Sequence, residues 1–110
     1  MSQINMVGNI KDLFPNYVVL VRIGTFYDAY FYDAKILAYI FKYKIKSVSG
    51  VDVVGFPTSS VKRVLYILEQ KSINYILVDK KHNYEEEEKQ DFKKKNKYEE
   101  LKKRSNILFR

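Results

Sequence analysis

Phe26 and Asp28 stand two residues apart in the segment Gly24-Thr25-Phe26-Tyr27-Asp28. In an extended chain, residues two apart project from the same side. An apolar plate would then stand beside a hydrogen-bond acceptor, with Tyr27 turned the other way. That pair suits a device that stacks on a flat group and hydrogen-bonds to it. The plainer alternatives are a core aromatic at a strand end for Phe26 and a turn-capping carboxylate for Asp28. Asp28, Asp33, Asp52 and Asp79 supply carboxylates for a magnesium-dependent nuclease, but nothing in their spacing brings a pair together. Lys46, Lys62, Arg63 and Lys71 are candidate phosphate contacts. Arg22 is the residue type to pair with a carboxylate or a backbone carbonyl. There is no cysteine, which excludes thiol catalysis, cysteine zinc sites and a disulfide scaffold. The single histidine, His82, lies beside a charged stretch, which disfavours a histidine-rich metal site and a serine–histidine triad.

These residues need elements to hold them, and the pattern up to Lys80 is α/β. Tyr17 to Ile23 is β-branched and nearly continuously apolar, the mark of a strand buried on both faces. Pro15 and Asn16 break the chain before it, and Gly24-Thr25 mark a turn or bulge after it. Phe26 to Phe31 continues that strand or starts a second. Asp33 is placed to cap a helix running to about Lys42, with Ala34, Leu37, Ala38 and Phe41 on one face. Lys44–Ser49 and Val51–Phe56 read as two strands joined by a Ser49-Gly50 hairpin turn. Pro57 ends the second. Thr58, Ser59 or Ser60 then caps a helix whose buried stripe is Val61, Val64, Leu65 and Leu68. Asn74–Asp79 is a final strand, expected to run parallel to 51–56 through that crossover helix.

A boundary is expected near Lys80. Residues 1–80 read as the folded unit and residues 81–110 as a charged appendage, helical or partly disordered. Glu85 with Lys89 and Asp91 with Lys95 are spaced for helical ion pairs. Tyr84, Phe92, Tyr98 and Leu101 form no continuous stripe, while Ile107-Leu108-Phe109 is an apolar end able to dock. At 110 residues the chain is one domain. Its net charge of +7 comes from both parts, ten basic against six acidic residues in 1–80 and ten against seven in 81–110. That excess suits an anionic partner, nucleic acid first. No apolar run reaches the roughly 18 residues of a membrane span, and the N-terminus has no signal pattern. No membrane partner and a cytoplasmic location are expected.

The segment Arg22-Ile23-Gly24-Thr25-Phe26-Tyr27-Asp28, followed by Asp33-Ala34-Lys35 and Gly55-Phe56-Pro57, resembles the N-terminal mismatch-recognition domain of the MutS DNA mismatch repair family. The resemblance covers roughly residues 10 to 80. The family pattern is an apolar strand, Arg-x-Gly-Asp-Phe-Tyr-Glu, an acidic residue and Ala opening a helix, then Gly-x-Pro before a second helix. It implies a mixed β-sheet flanked by helices. It also implies that Phe26 wedges into the minor groove and stacks on a mispaired base while Asp28 hydrogen-bonds that base. Two residues depart from the pattern. Asp28 replaces a glutamate and is shorter by one methylene, about 1.5 Å of reach. Thr25 replaces an aspartate in the turn.

The sequence therefore predicts a non-enzymatic α/β module that binds double-stranded DNA, preferring mismatched or kinked sites. The DNA-binding candidates are Phe26, Asp28, Arg22, Lys46, Lys62 and Arg63. No cofactor or metal is expected. These 110 residues contain no Gly-x-x-x-x-Gly-Lys-[Ser/Thr] loop, so ATP-driven steps are not expected of them. The alternative is an adaptor that keeps the fold and acts through a protein partner in DNA repair, replication or a mobile element, with residues 81–110 as the contact.

Overall fold

A computed structural model of the chain describes residues 3–81, 84–90 and 96–108. His82, Phe92, Phe109 and the side chains of Tyr84, Ile107 and Leu108 lie outside the described residues. The elements in order are α1 (Gln3–Leu13), β1 (Val18–Ile23), β2 (Phe26–Tyr30), α2 (Tyr32–Phe41), β3 (Lys46–Val48) and β4 (Val51–Pro57). A single 3-10 turn at Thr58–Ser60 follows, then α3 (Val61–Gln70), β5 (Tyr75–Lys81), β6 (Tyr84–Gln90) and α4 (Tyr98–Leu108). The strands form one mixed sheet in the order β3-β4-β2-β1-β5-β6. Among the described residues only the β1–β5 pair is parallel.

Both faces of the sheet are covered, which explains the unbroken apolar run of β1. Val18 and Leu20 point to one face, into a core with Tyr27, Ala29, Val54 and Phe56. Helices α2, α3 and α4 close that core through Leu37, Leu68, Tyr98 and Leu101. Val19 and Val21 point to the other face and meet Met6, Val7 and Ile10 of α1. The turns follow backbone chemistry. Ser49 and Gly50 both have positive φ, 51° and 77°, as the tight β3–β4 hairpin requires. Between β1 and β2 only Gly24 has positive φ, 60°, and glycine holds the first position of such a two-residue turn.

Strands β4 and β5 run in the same direction, as expected, with β2 and β1 between them. Elsewhere the structure corrects the sequence reading. No side chain caps α3, so none of Thr58, Ser59 and Ser60 plays that part. Helix α1 was not foreseen. Asp33 does not cap α2. It is the second helical residue and is fully buried, and no side chain caps that helix. Its Oδ2 accepts the Val19 N–H at 3.0 Å, a group beyond the paired part of the β1–β2 ladder. Its Oδ1 accepts from Lys11 Nζ at 3.0 Å and from the Tyr98 hydroxyl at 2.5 Å. Finally, the described part of 81–110 is no appendage. Strand β6 pairs along all of β5, and α4 places Tyr98, Leu101 and Ser105 in the interior. Those three positions form one buried stripe at spacings of three and four.

Candidate nucleic-acid interface

The β1–β2–β4 register decides which side chains meet at the turn end of the sheet. Ile23 pairs with Phe26, and Phe26 with Pro57. Val21 pairs with Asp28, and Asp28 with Gly55. Directly paired residues share a face, so Ile23, Phe26 and Pro57 form an end row, with Val21, Asp28 and Gly55 one row behind. This is the α1 face, but α1 covers only the far rows. Val19 and Val21 are fully buried, whereas Ile23 is 45% and Phe26 47% exposed. Pro57 is exposed as well.

The Asp28 carboxylate and the edge of the Phe26 ring both lie beside Gly55. A methyl group built on Gly55 would come within 2.7 Å of Asp28 Oδ1 and 3.6 Å of the Phe26 ring. The carboxylate therefore occupies space beside Gly55 that a larger residue would fill. Burial pushes its pKa above the usual carboxylate range, while the Lys46 ammonium and the neighbouring Tyr30 hydroxyl pull it back. The sequence named Phe26, Asp28 and Lys46, and these gather on one face. It missed Tyr30, Ile23 and the roles of Gly55 and Pro57, because cross-strand register is needed to find them.

The other candidates lie elsewhere. Arg22 points to the opposite face. Its Nε donates to the Gly24 carbonyl at 3.3 Å, and its guanidinium stands 3.7 Å from Asp79. Lys62 and Arg63 are exposed on the first turn of α3, in the helix layer of that opposite face. Arg63 donates to the Tyr43 hydroxyl at 3.2 Å and lies over the Phe41 ring. Lys71 is exposed just past the end of α3. The aspartates are also dispersed. Asp33 is with Lys11, Asp52 is 3.9 Å from Lys35, and Asp79 is with Arg22. Among the described residues no three His, Cys, Asp or Glu side chains are grouped to hold a metal.

Phe26 and Asp28 thus stand on one face at the end of a glycine-turned hairpin, Phe26 exposed and Asp28 partly buried. The family model described as MutS domain I matches residues 2–101. The chain belongs to the MutS domain I family. The match extends well beyond Lys80 and ends at Leu101, so it takes in β6 and the start of α4. This agrees with the burial of Tyr98 and Leu101 in the main core. No curated protein matches the chain. Among the described residues no helix is long and apolar enough to cross a membrane.

Proposed function

We propose that this domain binds double-stranded DNA in the cytoplasm and prefers mismatched or distorted sites, with Phe26 as the inserted wedge. It does so without catalysis and without hydrolysing ATP. The observation that carries this reading is Phe26 itself, a large apolar ring 47% exposed at the bare end of a sheet otherwise covered on both faces. A mispaired step is weakly stacked and easily kinked, so a ring enters there at lower cost than at a matched step. Stacking an aromatic on a base contributes about 1–3 kcal/mol. Lys46, exposed on the β3 edge of the same face, supplies a phosphate contact. Asp28 restrains binding where no base satisfies it, because an ionised carboxylate is repelled by the phosphates.

The test is fluorescence anisotropy with matched, single-mismatch and bulged duplexes. The wild type should prefer the distorted duplexes. Phe26→Ala should lose that preference, roughly tenfold or more, and keep its salt-sensitive affinity for matched DNA. Equal losses on all duplexes would remove the wedge assignment. No DNA binding at low salt, with a nuclease-resistant complex to a protein, would favour the adaptor.

A further inference from the structure

Phe26 does not stand alone at the sheet end. Ile23 is its direct cross-strand partner on β1 and Pro57 its partner on β4, and all three are exposed on one face. Each side chain is apolar, so the end row is a continuous ridge across three strands. Two interstrand spacings make it about 10 Å wide. The minor groove of undistorted B-DNA is about 6 Å wide. One ring fits such a groove, but the full ridge does not. Asp28 belongs to the row behind, and its Oδ1 lies over Gly55 beside the edge of the Phe26 ring, so the end row itself presents only apolar side chains.

On the DNA-binding reading above, we propose that Ile23 is a specificity-determining residue: with Phe26 and Pro57 it forms a wide blade that selects duplexes opened by unpaired nucleotides over duplexes carrying one base–base mismatch. A bulged site bends and unstacks at low cost and widens the groove. There the ridge enters whole, and Ile23 and Pro57 leave water along with Phe26. At a single mismatch both strands remain continuous and only the ring gains full contact.

The experiment measures binding of wild type, Ile23→Ala, Ile23→Leu and Phe26→Ala to four duplexes: matched, single mismatch, one-nucleotide bulge and two-nucleotide bulge. Thermal melting checks each fold. Ile23 is half exposed, so its variants should melt with the wild type. The wild type should bind the bulged duplexes about tenfold more tightly than the mismatched one. Ile23→Ala should bring the two classes within about threefold by weakening bulge binding alone, and Ile23→Leu should restore the ratio. If Ile23→Ala leaves the ratio unchanged while Phe26→Ala abolishes lesion preference, the wedge is a single ring and the blade is wrong. If the wild type ranks the mismatch level with the bulges, the blade is also wrong. If the wild type prefers no distorted duplex over the matched one, the DNA-recognition reading falls and Ile23 falls with it.

Discussion

Asp28 carries two opposing demands at the residue scale. Its carboxylate is partly buried on the surface proposed to meet DNA, so bound DNA should favour its protonated form. The complex then takes up a proton, and affinity should rise as pH falls through the raised pKa of Asp28. Asp28→Asn removes the charge at every pH. Its binding to matched DNA should be tighter than wild type near neutrality, and the difference should shrink in acid. Comparing the two proteins cancels any contribution from His82. A parallel pH dependence in both would show that Asp28 is not the titrating group. Gly55→Ala tests the recess itself. The new methyl meets the movable end of Asp28 rather than backbone. The fold should survive with a loss of about 1 kcal/mol or less, while the displaced carboxylate changes discrimination between matched and bulged DNA. Melting and anisotropy together check this. The Phe26–Asp28 pair was legible because side-chain alternation needs only sequence. The Gly55 recess was not, because it depends on which residue of β4 lies opposite.

At the scale of elements, the N-terminal helix and the last helix are tied together at the end of the sheet opposite Phe26. Lys11 Nζ is 3.0 Å from the Pro15 carbonyl and 2.5 Å from the Tyr17 carbonyl, as well as against Asp33 and the Tyr98 hydroxyl. Burial lowers the Lys11 pKa and raises that of Asp33, and each charge opposes the shift of the other. Burial next to Asp33 also drives the Tyr98 phenol upward. Removing one partner of a buried pair leaves an uncompensated charge. Lys11→Met should therefore cost about 3–5 kcal/mol in a denaturant titration. Its unpartnered Asp33 has a folded pKa above the unfolded value, so protonation favours the folded state. The deficit should narrow as pH falls through that raised pKa, and adding Asp33→Asn should recover most of it. A deficit independent of pH would contradict the assignment. Helix α2, the Ser49-Gly50 hairpin and the α3 stripe were legible from spacing and turn residues. Helix α1 was not, since polar residues and Gly8 interrupt its short apolar face. Strand β6 and helix α4 were hidden by charge. YEEEEKQ becomes a strand because β5 offers a free edge, not because of its own propensity.

For the molecule as a whole, the sheet divides the work between its two ends. One end is locked by Lys11, Asp33 and Tyr98, and the other leaves an apolar row bare. On the proposed DNA-binding reading, the net charge of +7 supplies attraction without specificity. Log affinity should fall linearly with log salt, by about 0.9 per phosphate neutralised. Lys46→Ala should flatten that slope by about 1. Arg63→Ala should leave it unchanged, because Arg63 lies on the opposite face and is engaged with Tyr43 and Phe41. A flatter slope for Arg63→Ala would move the DNA path to the helix layer.

The most direct measurement concerns whether Phe26 enters the helix. A fluorescent adenine analogue is placed beside a one-nucleotide bulge, and its emission is followed as protein is added. Insertion changes base stacking, so the wild type should alter the emission in step with binding. Phe26→Ala, saturated at higher concentration, should leave it near the free-duplex value. The same emission change in both proteins, or no change in either at saturation, would contradict insertion by Phe26.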